Sequence, residues 1–160
     1  MTSRIMPERM FYGETYNLYI NSFLIPMTAR ALNAGERYIG PFILPPFQRD
    51  LVWTISQKEK LIKSIYTGKP IGAIVHNCTE KSSITDGWLL DGQQRTTAIL
   101  DYVNGEFPVN GWLYTCLPEI EKAHFLRMSM SFIKTSINCP EKCREIYEDL
   151  IYGGTPHDPK

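Results

Sequence analysis

The chain has 160 residues, 43% of them apolar and 21% charged. That length suits one domain that buries most of the surface its unfolded form exposes, and the composition is far from that of disordered chains. Seventeen basic and seventeen acidic residues cancel, so no whole-molecule field draws the protein to nucleic acid or to an anionic membrane, and any such binding must come from a local patch.

No apolar run approaches the roughly 20 residues that span a bilayer, and the N-terminal segment carries charge and proline where a signal peptide needs a continuous apolar stretch. The expectation is a cytoplasmic protein with no membrane partner. Residues 1 to 15 read as an irregular lead-in. The aromatic and branched run from Tyr16 to Ile25 fits either a strand or the buried face of a helix, because periodicity does not separate the two. Thr28 to Asn33 favours a short helix that Gly35 ends, with Pro26 just ahead of it. Phe42 to Leu44 reads as a strand, and Pro45 and Pro46 hold the following residues extended. Gln48 and Arg49 leave that extended segment between two apolar anchors, Phe47 on one side and Val52 with Trp53 on the other. Such anchoring suggests positioned polar groups. The alternative is an aromatic loop plugging a core edge, which explains Arg49 poorly because a buried arginine needs a partner.

Thr54 with Gln57, or Ser56 with Glu59, starts the next helix by the capping-box rule; Leu61, Ile62, Ile65 and Tyr66 form its apolar stripe, and Gly68 stops it. Lys58, Lys60 and Lys63 read as a solvated face, with phosphate contact as the alternative. Pro70 to His76 reads as a strand and Cys78 to Gly87 as an exposed polar loop.

Trp88 to Tyr102, WLLDGQQRTTAILDY, is where chemistry is expected. A strand from Trp88 to Leu90 turns at Asp91 and Gly92 into a helix from about Gln93 to Asn104. Such a turn aims free backbone N–H groups and the positive end of a helix dipole at whatever lies above it, which makes an anion site. Arg95 adds a fixed cation with a planar donor fork. Asp91 followed by Gln94 also fits a capping box, but capping alone does not ask for two glutamines and an arginine. Beyond this helix, Phe107 to Tyr114 fits a short hairpin about Asn110 and Gly111. Pro118 opens a helix through Phe125 and Met128 to about Lys134, and Pro140 opens another to about Tyr152.

Cys78, Cys116, Cys139 and Cys143 are too few and scattered for a disulfide framework. Cys139 and Cys143 would share a helix face, but a closed zinc site needs four ligands, so ordinary thiols are expected and neither zinc nor haem. His76, His124 and His157 show no ligand or triad spacing. No HExxH, P-loop, GxGxxG, CxxC or nucleophile elbow occurs in the sequence.

The combination LPPFQRDLVW, then KPIGAIV, then WLLDGQQRTTAILDYVNGEF resembles the N-terminal domain of GmrSD-type modification-dependent restriction enzymes, found in bacterial anti-phage systems and in phages and a distant relative of the ParB and sulfiredoxin superfamily. The resemblance spans Phe42 to about Phe107 and continues into IYEDLIYGGTP, Ile146 to Pro156. It implies an α+β fold: a single domain over residues 1–160 with a small mixed sheet and flanking helices, a core of about 38–107 and a helical C-terminal part of about 118–152. It further implies that the DGQQR turn binds and hydrolyses a nucleotide. Carried over, Asp91, Gln93, Gln94 and Arg95 become the catalytic candidates, with a glutamine positioning water and Asp91 meeting Mg²⁺ or a water. Gln48, Arg49, Gly92, Arg95 and Thr96 become the phosphate-binding candidates. An NTP and Mg²⁺ are the implied cofactors, and DNA and a separate nuclease subunit are further implied partners. The family's HNH-like nuclease centre is not in this sequence and its domain usually runs beyond the GGTP turn, so a minimal form or a fragment is expected. Two functions follow: a nucleotide-dependent hydrolase acting on or in response to DNA, or a non-catalytic module that binds nucleotide or DNA phosphate and regulates.

Overall fold

Paired apolar residues decide the layers of this protein. The computed structural model describes residues 5–25 and 30–152, and three of its strands, β4 (Ile74–Asn77), β5 (Leu89–Asp91) and β6 (Ser129–Thr135), each send neighbouring side chains to opposite faces. Ile74, Leu89 and Phe132 join one buried cluster, while Val75 and Leu90 belong to a second, with Ile133 packed against it. The period of two in a strand allows this, and it requires cover on both sides. Helices α2 (Ile55–Tyr66), α3 (Gln93–Val103) and α4 (Glu119–Leu126) supply the first cover through Ile62, Ile99 and Phe125; α5 (Pro140–Tyr152) supplies the second through Cys143 and Ile146.

β1 (Glu14–Tyr19) completes a four-stranded sheet in the order β1-β6-β4-β5. β6 runs antiparallel to β1 and parallel to β4, and β5 runs antiparallel to β4. This is the mixed sheet with flanking helices of an α+β protein. A hairpin of β2 (Arg37–Ile39) and β3 (Phe42–Leu44) lies beside it, joined by an Ile43–Trp88 bridge. The run from Tyr16 resolves into β1 followed by the single helical turn α1 (Ile20–Phe23). Among the described residues, no helix is long and apolar enough to cross a membrane.

Several expected elements stand as read. β3 has the anticipated bounds, and α2 starts on the Thr54–Gln57 capping box, with Gln57 N donating to Thr54 Oγ1 and Thr54 N donating to Gln57 Oε1. Asn110 and Gly111, at φ 51° and 80°, make the tight turn expected of that dipeptide. Three expectations need correction. Residues 30–33 are not helical, and the rest of the short helix expected from Thr28 lies outside the described residues, as do His157 and the GGTP segment. The strand expected from Pro70 begins only at Ile74, because the carbonyls of Ile71 and Ala73 turn away to Arg95. The helix expected to run from Pro118 to about Lys134 stops at Leu126, and Ser129–Thr135 forms an inner strand of the sheet instead.

His76 sits in β4, buried among Tyr16, Phe42 and Phe132, with Nε2 2.5 Å from the Tyr16 hydroxyl. Burial, aided by the Lys134 charge, pushes its pKa down from 6.5 to about 4, against smaller opposing effects from Asn77 and Asp86. The unfolded chain therefore binds a proton that the native protein refuses. Stability is full above pH 6.5 and falls toward pH 4, by about 3 kcal/mol at 1.36 kcal/mol per pKa unit. Urea unfolding across that window should show the loss, and His76→Gln should flatten it; an unchanged slope in the variant would rule out His76 as the source.

Candidate functional site

β5 ends at Asp91, and the chain enters α3 through Gly92 at φ 108°, ψ 15°. A Cβ there would meet Ile74 Cγ1 at 2.9 Å, so only glycine lets the strand turn this tightly over the core. Gly92 is the N-cap, with no side chain capping the helix, and the first turn closes by Thr96 N donating to Gly92 O at 2.8 Å. The N–H groups of Gln93, Gln94 and Arg95 find no acceptor among the described residues. Asp91 and Gln94 are therefore not a capping box: each side chain is engaged elsewhere.

Gln94 is a clamp. Its Oε1 accepts from Val52 N and Trp53 N, each at 3.3 Å, and its Nε2 donates to Asp50 O at 3.4 Å. Gln48 is a second, donating from Nε2 to Leu89 O at 2.7 Å. These bonds tie the FQRDLVW loop to the strand and helix of the DGQQR turn, which is why two motifs about forty residues apart meet. Arg95 is a third. Its Nη1 donates to Ile71 O at 2.9 Å and Ala73 O at 3.1 Å, and its Nη2 donates to Asp91 Oδ2 at 2.9 Å. Gly72, at φ 80°, makes room for it, since a Cβ there would lie 2.8 Å from Nη1. Most of the Arg95 fork is thus spent inside the protein, and the residue is a brace before it is a ligand donor.

What remains available is a smaller set. Asp91 keeps Oδ1 free of described partners while Arg95 fixes Oδ2. Arg49 is exposed, contrary to a core-plugging role, and no described residue takes its guanidinium; its backbone N donates to Tyr147 Oη at 3.0 Å. Gln93 is 6% exposed and its Nε2 has no partner. A buried amide donor left unpaired costs about 1–3 kcal/mol, which marks Gln93 as a candidate donor to a bound group.

These groups surround an open cleft of about 140 Å³, lined by Gln48, Arg49, Trp53, Leu90, Asp91, Gly92, Gln93, Gln94, Arg95, Tyr147 and Ile151. Every candidate from the two motifs lines it except Thr96, which is fully buried beneath the turn with Oγ1 unpartnered. Tyr147 and Ile151 were not singled out individually from the sequence, although their spacing of four places both on one face of α5 within the IYEDLIY segment. Lys58, Lys60 and Lys63 do not line the cleft: Lys58 pairs with Asp101 at 2.6 Å and Lys63 with Glu59 at 2.8 Å. Cys143 is buried, its thiol pushed up to about 12, and among the described residues no three His, Cys, Asp or Glu side chains group as metal ligands.

No curated protein and no solved structure matches the chain. The model of the GmrSD restriction endonuclease N-terminal domain matches residues 30–158, a span that holds both clamped motifs, every residue of the cleft and the α5 helix that closes it. The chain belongs to that family.

Proposed function

We propose that the cleft binds the phosphates of a nucleotide and hydrolyses it, as the nucleotide-responsive part of a restriction system in which a separate nuclease domain or subunit cuts DNA. The observation that carries this is the unpaired Gln93 amide beside the open N-terminus of α3. Three free backbone donors and a helix dipole favour an anion there, and Arg49 adds an uncommitted positive charge. Asp91, held from one side by Arg95, has one oxygen left to orient water. Mg²⁺ sites in phosphoryl-transfer proteins need only one or two carboxylates plus the substrate's own phosphates, and Asp91 fits that minimum. The ion, when bound, would supply charge neutralisation.

A second reading, binding without turnover, gains support from the commitment of Gln48, Gln94 and Arg95 to holding loops. Only Asp91 and Gln93 then remain for chemistry. Phosphate release from a panel of NTPs, with and without Mg²⁺ and DNA, separates the two: release that Asp91→Asn abolishes supports hydrolysis, and a blank rate beside a ligand-induced melting shift supports binding alone.

Gln93→Met tests the shared premise. Removing an unpartnered donor should leave the ligand-free protein as stable as before or slightly more so, while ligand affinity falls about tenfold, as expected for a hydrogen bond to a charged group. Undiminished affinity in the variant would exclude Gln93 from the site.

A further inference from the structure

We propose that a second groove, between α2 and the start of β6, takes an extended acidic segment of a partner protein as an added short strand. It shares no lining residue with the cleft at Gly92, and its volume is about 630 Å³ against about 140 Å³ for that cleft. The groove exists because the sheet is interrupted there. β6 pairs with β1 from Ser129 onward, whereas its ladder with β4 begins only at Phe132. The chain ahead of β4 has turned its Ile71 and Ala73 carbonyls to Arg95, so β6 runs from Ser129 to Ser131 with a strand on one side only.

Strand alternation decides which main-chain groups face the gap. Cys78 N donates to Thr135 O, so the odd-numbered residues of β6 present their N–H and C=O groups toward β4. By that period Ser129 and Ser131 aim theirs into the groove, and neither N–H finds an acceptor among the described residues. Donors two residues apart on a strand stand roughly 7 Å apart, the interval at which a neighbouring strand repeats its acceptors. A small ligand has no such repeat. The walls set the side chains: Ile65, Ile71 and Met128 offer apolar contact, and Lys69 is the only charged residue on the lining. The Lys69 side chain is exposed and has no carboxylate partner among the described residues. A strand that lays alternate apolar residues on the wall and acidic ones beside Lys69 satisfies both, with main-chain bonds giving affinity and side chains giving selectivity.

Amide NMR of the full chain, titrated with the peptide acetyl-VEVEV-amide, tests this. The Ser129 and Ser131 amide protons should move downfield together as they gain acceptors, and the shifts should saturate near or below about 1 mM peptide. Methylating the peptide nitrogens of one alternate set should abolish binding and methylating the other set should leave it, because only one edge of the peptide meets β6. Lys69→Glu, a change on an exposed side chain, should weaken binding about fivefold and shift the preference to acetyl-VKVKV-amide; an unchanged preference would overturn the acidic assignment. Binding that survives both methylations, or shifts confined to other residues, would overturn strand addition. So would the absence of any shift at about 1 mM peptide, and so would concentration-dependent dimerisation that protects the same two amides, which would give the groove to a second copy of this chain.

Discussion

Phe132→Ala should cost about 3–5 kcal/mol, the range for truncating a buried phenylalanine. The ring is fully buried in β6, stacked on Tyr16 at 5.5 Å and tilted against Phe23 at 5.7 Å and Phe42 at 6.3 Å, with His76 at 6.4 Å. Four aromatic neighbours on four other elements cannot collapse together into the gap, so the cavity persists and the loss stays near the top of that range. Against the roughly 5–15 kcal/mol that holds a domain together, this removes a large part of the margin. Ser131→Ala, one residue away on the exposed side, should change stability by no more than about 0.5 kcal/mol. Urea unfolding measures both, and equal small effects would mean that the two positions do not lie on opposite faces of a strand.

Arg95→Ala should cost about 2–3 kcal/mol, mostly from the Ile71 and Ala73 carbonyls left without a donor in a half-buried place. The Asp91 pair contributes less, since that carboxylate is 36% exposed and water screens it. Arg95→Lys should recover only a minor share, because a single ammonium cannot span two carbonyls and a carboxylate as a planar fork does. Ligand-induced stabilisation should fall with it, through a misplaced Asp91 and a loosened turn. Urea melts with and without nucleotide decide the matter. Unchanged stability with lost binding would make Arg95 a phosphate ligand and no brace.

These two residues also mark where the sequence was and was not legible. The strand, glycine turn and helix around DGQQR follow from local rules, and so do the α2 cap and the Asn110–Gly111 turn; each depends on residues close together in the chain. The meeting of FQR with DGQQR was expected from resemblance, and the structure supplies its cause in the Gln48 and Gln94 clamps. Arg95 was assigned to phosphate because an arginine beside an anion turn has its donors free until tertiary contacts are known. The contacts that occupy it come from residues 71 and 73, in a segment whose branched residues predicted strand. β6 was hidden for a different reason. No glycine or proline separates Leu126 from Ser129, and Met128 and Phe132 fit helical spacing as well as Met130 and Phe132 fit a strand. Only the slot between β1 and β4 chooses between them. Thr96 was included by its place beside the motif; helical geometry turns it inward.

The position of β6 bears on how the molecule assembles. An inner strand supplied by residues 129–135 lies between a first strand that ends at Tyr19 and a fourth that begins at Ile74. During synthesis, β1 and the β4–β5 pair remain unjoined edges until residues 129–135 emerge. Bringing such distant segments together carries the loop-closure entropy that makes non-local sheets slow to form. The sheet that carries the cleft-bearing turn, although the turn's own sequence is local, is therefore complete only when the strand two places away from it has been inserted.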